Sequence, residues 1–236
     1  MRIAERIETW VFDLDNTLYS PTCRLFDQVD RRMGEFISAR LSIDRQEARR
    51  IQKDYFVHYG TTLKGLMRHH AIAPDEFLEF VHDIDVTVVP PDDALRDALA
   101  GLAGRRLVYT NGSRSHAERI LARLGVSELI DGIFDIAAAG YVPKPDAGNF
   151  RSFLDRHRIA PERAVMIEDM ARNLIPASAA GMTTVWLRTG YEWADVHHRP
   201  EAVDIEIDDL AAWLKLQHHN AGQRGGAPGR GGKNGG

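Results

Sequence analysis

The stretch W-V-F-D-L-D-N-T-L, from Trp10 to Leu18, joins a short apolar run to two closely spaced carboxylates. Side chains alternate between the two faces of an extended strand, so Asp13 and Asp15 would lie on the same side. Two such carboxylates repel each other, and each raises the pKa of the other. Because folding alone has no use for this pair, the stretch indicates a strand that ends in a functional site.

The segment after the two aspartates is predicted to be helical. Its apolar residues recur at three- and four-residue spacing, as in an amphipathic helix, and the first group is Leu25, Phe26, Val29, Met33, Phe36, Ile37 and Leu41. Helical patterns continue over residues 44–56, 62–70 and 74–84, where Pro74 suits a helix start. We therefore expect residues 20–88 to form an all-helical cap inserted into another domain.

Beyond Pro90, predicted strands alternate with predicted helices. The strands lie at 106–111, 132–136, 164–169 and 183–187, and the helices at 92–102, 115–124, 149–157 and 172–180. This alternation is typical of a mostly parallel sheet with helices on both faces, to which residues 8–13 contribute the first strand. The predicted fold class is α/β, with a core formed by residues 1–19 and 89–219.

The composition is that of an ordinary globular protein. Of 236 residues, 44% are hydrophobic and 27% charged, and the net charge of −4 gives no electrostatic reason to bind nucleic acid or an anionic membrane. The single cysteine, Cys23, cannot form an internal disulfide. Charges occupy the N-terminal positions where a signal peptide would be apolar, and no apolar run approaches the roughly 18 residues of a membrane span. A cytoplasmic location is the default expectation.

Residues 220–236 are expected to form a disordered tail. The part from 221 onward contains eight glycines and no acidic residue, so it cannot form a packed core. Its R-G-G stretches resemble short RNA-binding segments. Only three cationic residues lie there, which would release few counterions, and we therefore expect no nucleic-acid partner.

Four short motifs follow predicted strands: V-F-D-L-D, V-Y-T-N-G, M-I-E-D and, after a strand and a loop, Y-V-P-K-P. Ligands of open α/β sheets bind beyond the carboxyl ends of the strands, so these polar residues are expected to meet at one site. Taken singly, T-N-G is typical of a turn, K-P of a loop and E-D of a helix start or a solvated pair. Their shared position at strand ends favours a function.

The acidic residues of the motifs suit phosphoryl-transfer chemistry. Asp13 is a candidate carboxylate nucleophile that would form an aspartyl-phosphate. Asp15 can protonate the leaving oxygen and then deprotonate the attacking water. Carboxylates this close together need a cation, and Glu168 and Asp169 supply further oxygen ligands for Mg²⁺. The candidate metal ligands are Asp13, Asp15, Glu168 and Asp169.

The remaining motif residues are candidates for binding a phosphoryl group. The ammonium of Lys144 and the hydroxyl of Thr110 would bind its oxygens, and backbone N–H groups at Asn111 and Gly112 would complete the cradle. Fixed positive groups of this kind stabilise the charge that spreads over a transferring phosphoryl group.

Other kinds of site fit the sequence less well. D-L-D-N-T could begin an EF-hand calcium loop, but that loop needs Gly and Glu where this chain has Leu18 and Arg24. The histidine pairs at 69–70, 197–198 and 218–219 lack the i,i+4 spacing of helical metal ligands, which favours a surface location. No G-K-[ST] phosphate-binding loop is present, so a P-loop nucleotidase is excluded.

Together the four motifs resemble the haloacid dehalogenase superfamily over residues 9–215. The resemblance implies a Rossmann-like core, a mobile cap, an aspartyl-enzyme intermediate and dependence on Mg²⁺. By position it makes Asp13 the nucleophile, and Asp15 both the acid/base and a ligand through its backbone carbonyl. Asp169 is then a metal ligand, and Glu168 binds the metal directly or through water.

The same resemblance makes Thr110 and Lys144 the phosphate-binding residues. The acid at Asp15 favours a phosphatase, because the true dehalogenase branch lacks an acid there. W-V-F-D-L-D-N-T-L-Y, Y-V-P-K-P, I-E-D-M-A-R-N-L and the helical insert are similar to the pyrimidine 5'-nucleotidase branch. Met170 stands where many relatives have Ser or Thr, which leaves the hydrogen bonding around the metal site open.

The cap is expected to select the substrate, since the motifs contact only the phosphoryl group and the metal. Its aromatic and hydrogen-bonding residues suit a nucleobase, although the aromatic ones could instead form the cap's own core: Tyr19, Arg24, Phe26, Tyr55, Phe56, His58 and Tyr59. We therefore expect nucleoside 5'-monophosphates, with pyrimidines ahead of purines because a small cap leaves less room. The alternatives are a phosphatase for another small phosphorylated metabolite, a phosphomutase and a non-catalytic binding module. The sequence leaves the oligomeric state open.

Overall fold

The opening stretch of the sequence forms the centre of a parallel sheet. The computed structural model describes residues 3–191, 194 and 196–218. Within them, six parallel strands lie in the order β3-β2-β1-β4-β5-β6. Their bounds are β1 Thr9–Phe12, β2 Arg105–Tyr109, β3 Gly132–Phe134, β4 Ala164–Glu168, β5 Thr183–Leu187 and β6 Ile205–Ile207. The predicted α/β class and Rossmann-like sheet are confirmed, and the edge strand β6 was not predicted.

The register of β1 brings the motif residues side by side. Phe12 pairs with Val108 of β2 and with Ile167 of β4. The next residue, Asp13, still donates its backbone N–H to the carbonyl of Ile167 at 2.9 Å. Asp13 therefore leaves the sheet level with Glu168, at the carboxyl edge where ligands of such sheets bind.

Residues 20–88, which lie between β1 and β2, are largely helical. The helices described there are α1 Leu25–Leu41, α2 Arg45–Tyr59, α3 Thr62–His70 and α4 Pro74–His82. The side chains of Asp44 and Thr61 cap α2 and α3 by accepting hydrogen bonds from backbone N–H groups of the first turns, at 2.9 and 3.2 Å. Phe36 of α1 packs edge-on against Phe77 of α4, with 5.2 Å between ring centroids, so these helices share an apolar core.

Helices cover both faces of the sheet, since successive strand residues point to opposite sides. They are α5 Asp93–Ala100, α6 Arg114–Leu124, α7 Ala147–His157, α8 Ile175–Ala179 and α9 Leu210–Lys215, of which α9 was not predicted. On one face Trp10 packs edge-on against Trp213 of α9, at 6.2 Å between centroids. On the other, Tyr109 stacks on Phe153 of α7 at 4.6 Å. The two apolar layers are separate clusters with the sheet between them.

No helix in the described part of the chain combines the length and the apolarity that a membrane span requires. The predicted glycine-rich tail, residues 220–236, lies outside the described residues.

Candidate active site

Asp13 lies buried at the carboxyl end of β1, with only 6% of its surface exposed. Its Oδ1 accepts a hydrogen bond from Lys144 Nζ at 2.6 Å, and its Oδ2 accepts one from Thr17 Oγ1 at 3.1 Å. Burial and the negative charge of Glu168 raise the pKa of Asp13 to about 7, although Lys144 acts in the opposite direction. The two hydrogen bonds hold the Asp13 side chain in place. Lys144 offsets only part of the cost of its buried negative charge, and a bound cation would offset more of it, which suits a carboxylate nucleophile.

Asp15 lies in the turn after β1, where Asn16 adopts a positive φ of 64° that bends the chain. Its Oδ1 accepts hydrogen bonds from Tyr19 OH at 2.7 Å and from His116 Nε2 at 2.8 Å. The hydrogen of the second bond belongs to His116, because an ionised carboxylate can only accept. Burial would raise the pKa of Asp15, but His116 and Tyr19 lower it to about 2. The sequence predicts that repulsion between Asp13 and Asp15 raises both pKa values. Only the pKa of Asp13 is raised, and the charge of Asp15 is the smallest of its causes.

Three buried carboxylates form a cluster that fits a divalent cation. Oxygens of Asp13, Glu168 and Asp169 all lie within 4.8 Å of one another. Asp169 Oδ2 is buried without a hydrogen-bond partner in the described residues, and burial together with Glu168 and Asp13 raises the pKa of Asp169 well above its usual range. Mg²⁺ prefers oxygen ligands such as carboxylates, and the unpaired oxygen of Asp169 is available to coordinate it. The side chain of Asp15 points instead to His116, which leaves its backbone carbonyl as the candidate ligand.

Glu168 is fully buried and its two oxygens already have partners. Oε1 accepts from Lys144 Nζ at 2.6 Å and from Asn173 Nδ2 at 2.8 Å, and Oε2 accepts from the Met170 backbone N–H at 3.0 Å. These contacts orient Glu168 toward Lys144. They favour contact with a metal through water, the second of the two arrangements that the sequence leaves open.

Lys144 connects the V-F-D-L-D and M-I-E-D motifs. Its buried Nζ donates to Asp13, to Glu168 and, at 2.9 Å, to the carbonyl of Tyr109. Burial would lower the pKa of Lys144, but the two carboxylates raise it well above its usual range, so the ammonium is charged. Asn111 Oδ1 accepts the backbone N–H of Lys144 at 2.9 Å and so anchors the loop that carries it.

The T-N-G loop lies beside these groups. Thr110 Oγ1 accepts the backbone N–H of Gly112 at 2.9 Å, which leaves the hydroxyl hydrogen of Thr110 available for a substrate oxygen. A Cβ at Gly112 would lie 3.3 Å from both Thr110 Oγ1 and a ring carbon of His116. Glycine therefore permits the close approach of this loop to α6. The structure brings Asp13, Thr110, Lys144 and the E-D pair together, as the sequence predicts.

A cleft of about 600 Å³ extends from these groups to helices α1–α4. Of the seven cap residues expected to select the substrate, Arg24, Phe26 and Phe56 line it. Tyr19 instead donates to Asp15. Tyr55 and Tyr59 pair with His70 and His69 at 2.8 and 2.6 Å, and these tyrosines and His58 are not among the described residues that line the cleft.

Several polar residues at the site were not predicted. His116 is 1% exposed and stacks on His82 of α4, with 4.3 Å between centroids and 10° between ring planes. Ser113 Oγ lies 2.9 Å from His82 Nδ1, which fixes the second ring. The available signal was a histidine in the first turn of the helix that follows T-N-G. Arg172, four residues after Glu168, also lines the cleft.

The fold is shared with solved structures of low sequence identity. The structure of CbbY from Rhodobacter sphaeroides in complex with phosphate matches with a TM-score of 0.63 at 22% identity, covering 87% of this chain and 95% of that one. At this identity the likeness establishes the fold.

Curated relatives and a family model identify the family. Phosphoglycolate phosphatase from Rhodospirillum rubrum is 26% identical over 92% of this chain and 95% of its own length. Phosphate metabolism protein 8 from Saccharomyces cerevisiae is 30% identical over 53% of this chain, but the match spans only 42% of the yeast protein. The model for haloacid dehalogenase-like hydrolases matches residues 7–181. The chain therefore belongs to the haloacid dehalogenase-like hydrolases.

Proposed function

We propose that this protein is a Mg²⁺-dependent phosphatase that hydrolyses phosphate monoesters through an aspartyl-phosphate on Asp13. The observation that carries the proposal is the convergence of Asp13, Lys144, Glu168 and Asp169 in one buried cluster with an unsatisfied carboxylate oxygen. The full-length match to a phosphatase supports it.

In the first step an oxygen of Asp13 attacks phosphorus, the bond to the ester oxygen breaks, and Asp15 gives a proton to the departing alcohol. The negative charge of a bound phosphate ester would raise the pKa of Asp15 from its value of about 2 in the substrate-free site, so that it can carry this proton. In the second step Asp15 takes a proton from water, and the water oxygen attacks phosphorus. The bond between phosphorus and the Asp13 oxygen breaks, which releases phosphate and restores the Asp13 carboxylate. A bound Mg²⁺ would stabilise negative charge on the phosphoryl oxygens. Lys144 and Thr110 would bind the same oxygens, and His116 would hold Asp15 in position.

For the substrate we propose a nucleoside 5'-monophosphate, with pyrimidines preferred. The motif resemblance supports this choice, and the cleft of about 600 Å³ lies within the usual size range of small-molecule sites. Phe26 and Phe56 supply aromatic surface on which a base would stack. A smaller phosphorylated metabolite is the second candidate, favoured by the full-length phosphoglycolate phosphatase relative.

We also propose that residues 20–88 act as a cap that selects the substrate. Two arginines of α6 hold its second connection to the core: Arg119 donates to the carbonyls of His82 and Ile84 at 2.7 and 2.6 Å, and Arg123 donates to Val89 at 3.0 Å. Replacing the cap by a short linker should abolish discrimination among substrates while leaving some hydrolysis of small generic esters. An equal loss on both would contradict a selective role.

Two measurements test the proposed function. Phosphate released from UMP, CMP, AMP, GMP, phosphoglycolate and sugar phosphates should give the highest kcat/KM for UMP or CMP. A tenfold preference for sugar phosphates, about 1.4 kcal/mol of transition-state stabilisation, would exclude a nucleotidase and leave a phosphatase.

Acid quenching with a ³²P-labelled substrate should trap label on the wild type and on the control Asp97→Asn, but not on Asp13→Asn. Label on the folded Asp13→Asn protein would exclude Asp13 as the nucleophile.

A further inference from the structure

Arg172 is a buried cation with almost no partners. It lies in a short 3-10 turn, Ala171–Leu174, that begins two residues after the M-I-E-D motif ends at Asp169, and only 5% of its surface is exposed. Its one hydrogen bond within the described residues runs from Nη2 to the carbonyl of Gly60, at a long 3.4 Å. Nε is buried and has no partner there. No carboxylate oxygen of the described residues lies within 4.0 Å of a guanidinium nitrogen of Arg172, the distance limit for an ion pair.

Such an environment is unfavourable for a guanidinium, which has five N–H donors to satisfy. A buried charge is normally paired, because removing it from water is otherwise costly. Lys144, the other buried cation of the cleft, has two carboxylates at 2.6 Å. For Arg172 burial lowers the pKa, and Glu168 only partly compensates. Folding alone gives no reason to keep an arginine at this position.

The surroundings of Arg172 leave its edge free for a ligand. The Phe56 ring covers one face of the guanidinium, with 4.6 Å from Cζ to the ring centroid. Contact with an aromatic face leaves the N–H donors of a guanidinium available, and of those of Arg172 only Nη2 has a partner within the described residues. Arg172 and Phe56 line the same cleft as Asp13 and Lys144. A substrate whose phosphoryl group lies at Asp13 can therefore extend to Arg172.

We propose that Arg172 is a specificity-determining residue that binds a carboxylate on the non-phosphoryl part of the substrate. The substrate class is then a phosphate monoester of a carboxylated alcohol or nucleoside. This inference rests on the proposed phosphatase function. A planar carboxylate matches the in-plane donors of a guanidinium in a bidentate pair. Its single charge also matches that of Arg172, whereas a second phosphate would add repulsion from the nearby carboxylates.

The test uses two pairs of substrates that differ by a carboxylate. The small pair is phosphoglycolate and 2-hydroxyethyl phosphate, and the nucleotide pair is orotidine and uridine 5'-monophosphate. The wild type should prefer the carboxylated member of at least one pair by tenfold or more in kcat/KM. Arg172→Gln should lose at least tenfold on that member and less than threefold on its neutral partner. Arg172→Lys, which keeps the charge but not the planar donors, should lie between the two.

A matched control is Arg163→Gln, which removes an exposed arginine paired with Glu8 and should leave both kcat/KM values unchanged. The preferred pair identifies the source of the carboxylate, a small acid or a nucleotide. No preference by the wild type in either pair would overturn the proposal. An equal loss on both members in Arg172→Gln would also overturn it, because Arg172 would then only connect the turn to Gly60.

Binding separates this inference from the proposed function. Calorimetric titration of Mg²⁺-loaded Asp13→Asn, with and without the additional change Arg172→Gln, measures the carboxylate effect without turnover; the ligands are phosphoglycolate, 2-hydroxyethyl phosphate and the nucleotide pair. If the wild type hydrolyses none of the four esters, the phosphatase proposal fails. A tenfold binding preference that Arg172→Gln removes would still support the carboxylate site, and equal affinities would reject it. Melting curves of both proteins confirm that the variant is folded.

Discussion

Replacing Asp13 by asparagine is expected to abolish turnover and also to stabilise the metal-free protein at pH 8. The pKa of Asp13 rises from 3.8 to about 7 in the folded state. Since each pKa unit corresponds to about 1.4 kcal/mol, ionised Asp13 lowers the free energy of unfolding by about 4 kcal/mol. The attraction of Lys144 to the ionised carboxylate is already included in this shift. An amide of the same shape avoids the penalty but replaces the acceptor Oδ2 of Thr17 by an N–H₂ group, and rearranging this buried hydrogen bond costs about 2 kcal/mol. The net gain is about 2 kcal/mol.

The sign of the pH dependence follows from the direction of the shift. A carboxyl group whose pKa is raised by folding binds its proton more tightly in the folded state, so wild-type stability falls as the pH rises from about 4 to 7. At pH 5.5 the penalty is about half as large, and the wild type and Asp13→Asn should have nearly equal stabilities. Above pH 7 the difference between them should be constant.

Urea denaturation in excess chelator at pH 5.5 and pH 8, followed by tryptophan fluorescence, measures this difference. Asp97→Asn, a change at a largely exposed carboxylate, serves as the control and should shift stability by no more than about 0.5 kcal/mol. Phosphate release by Asp13→Asn should fall at least a thousandfold, because an amide cannot attack phosphorus. If Asp13→Asn is less stable than the wild type at pH 8, or if the difference does not change with pH, the described electrostatics of the site are wrong.

The other predictions concern the metal, the acid/base and the cleft. Chelation should abolish activity and Mg²⁺ should restore it, because Asp13 and Asp169 otherwise repel each other and the substrate; full activity in excess chelator after dialysis would contradict a metal requirement. His116→Asn should raise the pKa of Asp15 from about 2 toward its usual range and remove the hydrogen bond that positions its carboxylate, which lowers kcat about tenfold or more with little change in KM; a change in KM alone would contradict a role through Asp15. Phe26→Ala should raise KM for UMP at least fivefold but not KM for phosphoglycolate, and equal increases would argue against base stacking on Phe26.

Much of the fold could be predicted from periodicity. The helices α1–α4 produce strong three- and four-residue apolar spacing, and β1, β2, β4 and β5 are apolar runs bounded by polar residues. Strand β6 has only three residues, Ile205–Ile207, and helix α9 has six. Elements this short carry too few repeats for a pattern to appear. Strand β6 forms by pairing with β5, and α9 forms because Trp213 and Leu214 pack against the sheet; both are tertiary effects.

The meeting of the motif carboxylates at the centre of the site could also be predicted from the sequence pattern. Strand ends are readable in the sequence, and the parallel topology determines that Asp13 and Glu168 meet. The partners of Asp15 and the isolation of Arg172 depend instead on how α6 and the cap helices approach the sheet. Tyr55 shows the same limit: its hydroxyl faces His70 of the neighbouring helix, and this pairing follows from α2–α3 packing that local sequence does not determine.

The central position of β1 has a consequence for biosynthesis. Strand β1 pairs with β2 on one side and with β4, which begins at Ala164, on the other. A ribosome adds roughly 5–20 residues per second, so β1 is made on the order of ten seconds before β4 exists. Both edges of β1 lack a partner until Arg105–Tyr109 is made, and the edge that pairs with β4 lacks one for the whole interval. A nascent chain that ends before Ala164 is therefore expected to be a good chaperone substrate and to aggregate when released.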